Sequence, residues 1–354
     1  MSIDVAGALG MLLGIPWLFL AVFVNELGRV FFGLLSGYRF LFLKQGPFIW
    51  WKEDEKTRFK FAFSTEKAML RHVLLPSKDE KDFRYVLYFY GGTIVNSIAI
   101  ALALVAIFIV HSRIEDDLLR EFVLRFLYMF FLANGVAIYG SLFRTLLGGG
   151  QVLSVLRKAE ESSEAERGLY LHMLVQAETT QGKRYREYDN EIFRVSTNAN
   201  LKNYFISRIV ELEALRLYDL GKYDECIQEF ERLNLEEVDP FDKRIAFETL
   251  LYIYIVHRPD FEKVKQLFPF DKMQSTVEHS FAPSAGRIMS AYEFFVNGDE
   301  RNVKRQGDER SARRKAKRLL KEAKSELEFH YPNKGLRMME NEYIENLEKM
   351  YVET

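Results

Sequence analysis

Cysteine is almost missing from this sequence. Cys226 is the only one in 354 residues, which excludes an internal disulfide framework and any cysteine-rich zinc module. Net charge is missing as well: 49 Lys and Arg stand against 50 Asp and Glu. Without a global cationic field to neutralise phosphates, nucleic acid is excluded as a default partner. Charge is also absent locally, from three long runs near the N-terminus. Val5–Val24, Tyr85–Val110 and Phe126–Phe143 contain no Asp, Glu, Lys or Arg over 20, 26 and 18 residues. A mean hydropathy of -0.13 therefore averages an apolar first half and a charged second half.

A bilayer core of about 30 Å needs roughly 20 helical residues, so all three runs are candidate spans. The expected helices cover about 5–36, 85–110 and 122–146. The first run lacks a basic leader region and reads as a retained helix rather than a cleaved signal peptide. Eleven Lys or Arg lie between Arg39 and Arg84, and Arg144, Arg157 and Lys158 follow the third run. The connection Ser112–Glu121 is mostly acidic. The positive-inside bias then predicts a multi-pass cell-membrane protein of bacterial inner-membrane type, N-terminus outside and C-terminal half cytoplasmic.

Two charges interrupt the first run. Glu26 and Arg29 are three residues apart, on one helical face, where they can pair. Ionisable residues at membrane depth are costly and mark function by default, although a structural ion pair has the same pattern. The surrounding segment, Asn25-Glu26-Leu27-Gly28-Arg29, resembles the His-Glu-Leu-Gly-His zinc motif of the site-2 protease family of intramembrane metallopeptidases. Gly91-Gly92-Thr93-Ile94-Val95-Asn96 is similar to that family's Gly-Gly-x-x-x-Asn signature. Leu147-Gly148-Gly149-Gly150-Gln151 resembles its Leu-Asp-Gly-Gly-Gln segment, and the three motifs occur in the family's order over roughly residues 5–158.

The resemblance implies a three-helix core in which Asn25, Arg29 and Gly148 occupy the ligand positions and Glu26 that of the general base. It places Gly91, Gly92 and Asn96 beside the substrate cavity. None of the three ligand positions holds a ligand. Asn is a poor neutral donor, Gly has no side chain, and Arg is a permanent cation that repels Zn²⁺. None of the six His lies in a motif, and His72, in the loop after the first span, is a single imidazole. The expected outcome is a pseudoprotease without metal, cofactor or intact catalytic set, in which Arg29 neutralises Glu26 and the cavity binds a membrane peptide or protein client. Two alternatives stay open: an active zinc metallopeptidase with a non-standard ligand set, and a membrane-anchored scaffold.

Residues 39–63 alternate in strand fashion, with Phe59, Phe61 and Phe63 on one face and Gly46-Pro47 as a turn. The resemblance makes this β-rich loop a candidate peptide-binding edge; an aromatic hairpin at the lipid interface, with Trp50 and Trp51 as belt residues, fits equally. Residues 159–300 read as helical. Leu220-Gly221-Lys222-Tyr223 through Cys226 and Phe230 resembles a tetratricopeptide repeat, echoed around Tyr185 and Phe261 at a period of 38. Such a domain would recruit a cytoplasmic protein partner, and a plain helical bundle is the alternative. Residues 301–354 are basic and then acidic. Eleven Lys or Arg against three acids in 301–324 suit either anionic lipid or a solvated helix balanced by the acidic end. The fold class expected is thus mainly α and integral membrane, with a small β element and a helical repeat-like soluble domain.

Overall fold

Pro16 divides the first apolar run. Lacking the N–H that would bond back to the preceding turn, it opens a new helix instead of continuing the old one. In the computed structural model, which describes residues 3–53, 56–61, 72–77, 79–143, 152–236, 240–267, 283–298, 306–330 and 333–353, the run forms α1 (Ile3–Gly14) and α2 (Pro16–Leu35). The second apolar run becomes α3 (Tyr85–Arg113) and the third α4 (Asp117–Leu142). Asp116 starts α4 ahead of the expected position because its carboxylate accepts from the Leu119 N–H at 2.9 Å.

The α1–α2 segment, α3 and α4 are each long and apolar enough to cross a membrane. Phe19, Leu102 and Phe108 are exposed on their outer faces, as lipid-facing side chains are. α2 packs against α3 and α4, and α1 against α4. Ala21, Ala133 and Ala137 bring α2 and α4 close together. Trp17 meets Phe126 and Phe130 edge-on, with centroids 5.3 and 4.8 Å away.

The loop after α2 folds into an antiparallel sheet of β1 (Arg39–Gln45), β2 (Phe48–Glu53), β3 (Lys56–Phe61) and β4 (His72–Leu75), in the order β3-β2-β1-β4. Phe48 lies opposite Phe61, and Trp50 opposite Phe59, so the four rings share one face. Trp50 also stacks on Phe23 of α2 at 5.9 Å, which folds the hairpin back along the helix. Phe59 and Phe61 are exposed on β3, whose outer edge has no strand beside it among the described residues. Phe63 lies outside the described residues. β4 had no sequence expectation: four residues are too few for a periodic signal. A short α5 (Val152–Ala159) packs on α3 and α4.

Internal contacts divide the chain after Ser162. The second unit is built from α6 (Ser163–Gln181), α7 (Tyr204–Asp219), α8 (Tyr223–Glu231), α9 (Pro240–Tyr252), α10 (Phe261–Leu267), α11 (Pro283–Tyr292), α12 (Gln306–His330) and α13 (Lys334–Glu353). Gly221, at φ +74°, turns α7 into α8. Tyr223 opens α8 and Phe261 opens α10, whereas Tyr185 begins only a single 3-10 turn. α9 and α11 both end in a π-helical turn, Ile253–His257 and Glu293–Asn297. Such turns absorb an extra residue within a helix. Cys226 and Phe230 are fully buried between the helices, and burial pushes the Cys226 thiol well above its ordinary pKa.

Ion pairs, two of them buried, tie this unit together. Arg184 pairs with Asp219 of α7 and Glu342 of α13, and Arg287 of α11 pairs with Glu340 of α13. Lys324 and Glu348 join α12 to α13. The acidic end thus engages two buried arginines as well as the basic helix.

Two partly buried imidazoles should make the stability of this unit pH-dependent. Burial, with Arg208 beside it, pushes His172 down to about 3, and burial, with Arg287 and Arg258, pushes His257 down to about 4. Arg208 Nε lies 3.2 Å from His172 Nδ1, which therefore accepts and stays neutral. The unfolded chain takes up these protons near pH 6.5 and the folded chain does not, so stability is lost as pH falls from 6.5 toward 4. Glu211 opposes this: burial raises its carboxyl to about 7, despite Arg208, so it gains stability as pH falls from 7 to 4.5. Replacing both His172 and His257 by Gln should reduce the proton uptake on unfolding near pH 5.5 by about two protons relative to wild type. Thermal unfolding against pH measures this. An unchanged slope would show that the two imidazoles are not held neutral.

A polar site at the crossing of α2 and α3

The two helices approach closely because their contact carries glycine. A Cβ on Gly92 would lie 2.5 Å from both the backbone oxygen and Oδ1 of Asn25, and one on Gly28 would lie 2.7 Å from the Gly91 oxygen. The first two motifs read from the sequence therefore meet. Asn96 is completely buried and donates from Nδ2 to the Ala21 oxygen at 3.4 Å, one turn before Asn25. Asn25, Glu26 and Arg29 are each at most 7% exposed. Gly148, the third expected position, lies outside the described residues.

Both charges of α2 have partners on other elements. Arg29 Nη2 donates to Ser141 Oγ of α4 at 2.9 Å. A contact at the Glu26 carboxylate comes from β4, where His72 Nδ1 lies 2.7 Å from Glu26 Oε2 as an ion-pair contact rather than an aligned hydrogen bond. His72 Nε2 shares a 2.6 Å hydrogen bond with Tyr88 Oη of α3. The reason is geometric. Tyr88 sits one turn before Gly91 and Gly92, at the close approach of α2 and α3, and β4 is carried there by pairing with β1. A guanidinium on α2 meanwhile extends toward α4. Tyr88 and Ser141 were not singled out in the sequence, and His72 was noted only as a single imidazole. Only the isolated imidazole in the basic loop was a signal, and a weak one.

Besides Glu26 Oε2 and His72 Nδ1, which face each other, four polar atoms at this crossing are buried without a hydrogen-bond partner among the described residues: Asn25 Nδ2, Arg29 Nε, Thr93 Oγ1 and Asn96 Oδ1. Buried polar groups are ordinarily satisfied. Two of these atoms donate, one accepts and the threonine hydroxyl does either, which matches the demands of an exposed peptide backbone. The donor set does not suit zinc. Glu26 and His72 are two ligands, Arg29 is a fixed cation, and no group of three or more His, Cys, Asp or Glu side chains able to hold a metal comes together among the described residues.

The sheet lies on the same side of α2. Its aromatic face touches Phe23, less than one turn before Glu26, and β4 reaches Glu26 through His72. Among the second-unit positions, Gly221, Tyr223, Cys226 and Phe230 form one helical hairpin, in which Tyr223 stacks on His257 with centroids 3.9 Å apart. No protein-family model, curated protein or solved structure matches this chain.

Proposed function

We propose that this chain is a catalytically inactive, site-2-protease-like membrane protein that holds an unwound stretch of a membrane peptide or protein client. Its cytoplasmic helical unit recruits a partner. The observation that carries this reading is the set of unpartnered buried atoms on Asn25, Arg29, Thr93 and Asn96, gathered at one crossing of two apolar helices. A helix unwinding in a membrane exposes N–H and C=O groups that water cannot satisfy. Asn25 Nδ2 and Arg29 Nε can serve its carbonyls, and Asn96 Oδ1 its N–H groups. Glu26, paired with an imidazole and without a metal-bound water to activate, has no hydrolytic role in this reading. The N-terminus outside and the C-terminal unit in the cytoplasm follow the distribution of basic residues.

A photo-crosslinker at Val95, which packs near Gly28, tests the proposal in membranes of the expressing cell. It should capture a polypeptide, and the yield should fall about tenfold or more when Asn25 and Asn96 are both replaced by Leu, since two buried hydrogen bonds are lost. Capture that is equal from the outward-facing Phe108, or insensitive to the double replacement, would contradict the proposal. If Glu26→Gln and Arg29→Gln also left partner recruitment intact, the membrane part would be an anchor only.

A further inference from the structure

α12 is amphipathic in an unusual way. Ala316, Leu320, Ala323 and Leu327 are buried along one face. At 100° per residue, Arg310, Arg314, Lys317, Arg318 and Lys321 fall on the opposite arc, and all five are exposed. The acids Glu322 and Glu326 fall outside that arc. Other cations of the helix are already engaged: Lys315 with Glu293, Lys324 with Glu348, and Arg313 over the Phe294 ring. Arg310, Arg314, Lys317 and Lys321 have no acidic partner among the described residues, and Arg318 has only the exposed Glu322 at 3.6 Å. In a chain whose net charge is -1, this is a concentrated cationic stripe about 17 Å long.

We propose that this stripe is a docking surface for the anionic phospholipid headgroups of the membrane that α2, α3 and α4 cross. Two features favour lipid over a soluble polyanion. The stripe is one solvent-facing row with no aromatic residue between Arg310 and Lys321 on which bases could stack, which suits a flat charged surface. Only residues 160–162 separate α5 from α6, so the unit carrying the stripe is tethered to the membrane unit and meets lipid at high effective concentration. Each cation near an anionic surface contributes about fivefold, and the attraction decays within a Debye length of about 8 Å.

The full chain, reconstituted in nanodiscs, provides the test. A fluorophore on Ser325→Cys, at the exposed end of the stripe, reports proximity to a headgroup-attached quencher; Cys226 is buried and does not compete for the label. Quenching should be strong in discs containing phosphatidylglycerol, weak in pure phosphatidylcholine and reduced by high salt. Lys317→Gln, Arg318→Gln and Lys321→Gln together should lower the docking equilibrium by on the order of a hundredfold. These side chains are solvent-exposed, so an unchanged thermal unfolding profile will confirm that the triple variant folds. Equal quenching in both lipids, or quenching unaffected by the triple variant, would overturn the proposal. So would tight, salt-sensitive binding of a labelled RNA in place of anionic lipid.

Discussion

Replacing Gly92 by Leu prevents the α2–α3 pair from forming. The new Cβ would stand 2.5 Å from the Asn25 backbone oxygen, and a backbone atom cannot rotate aside as a side-chain terminus can. Overpacking a core ordinarily costs about 1–3 kcal/mol. Here the clash with main chain at the closest helix approach should exceed about 3 kcal/mol. The expected result is loss of the monodisperse peak on size exclusion in detergent and loss of cooperative unfolding. Gly140→Leu in α4 is the matched control, because nothing lies within 4 Å of a Cβ there. It should behave as wild type. Equal tolerance at both positions would mean that α2 and α3 do not meet at Gly92, and the polar site would lose its basis.

A second large effect is expected where Arg287 is buried in the helical unit. Its guanidinium lies 4.0 Å from the centre of the Tyr252 ring and 5.0 Å from that of Tyr343, and it is paired with Glu340. Arg287→Met leaves Glu340 charged, buried and without its partner, and should cost about 3–5 kcal/mol. Adding Glu340→Met removes the stranded charge and should recover more than half of that loss, since an apolar pair avoids the desolvation of two ions. Denaturant unfolding of the two variants against wild type measures the coupling. Additive losses would show that the two side chains act independently, and that α13 is not held by this pair.

The features legible in the sequence were those with a long or local signal. Uncharged runs announced α2, α3 and α4, because each run is long and apolar enough to cross a membrane as one helix. The alternation of Phe59 and Phe61 announced β3, and Leu220-Gly221-Lys222-Tyr223 announced the turn that Gly221 makes at positive φ. The motif positions Asn25, Gly92 and Asn96 were visible, and the structure brings them to one helix crossing. The partners of the charges were not visible. Ser141 is 112 residues from Arg29, and His72 reaches Glu26 only because a four-residue strand pairs with β1. Spacing along one helix suggested that Arg29 would pair with Glu26, and it could not reveal that Ser141 and His72 also contact these charges. The buried arginine pairs of the second unit were equally silent, since Arg184, Arg208 and Arg287 look like ordinary surface cations until the fold buries them.

On the proposed function, the membrane helices keep a site-2-protease-like framework in which only the ligand identities differ. Restoring them is therefore the most direct measurement. Asn25→His, Arg29→His and Gly148→Asp, combined in one purified chain, should bind about one zinc ion per molecule by elemental analysis, with tetrahedral geometry in X-ray absorption. The unaltered chain should bind none tightly. A folded triple variant that takes up no zinc, or stoichiometric zinc in the unaltered chain that disappears on Glu26→Gln, would contradict the account.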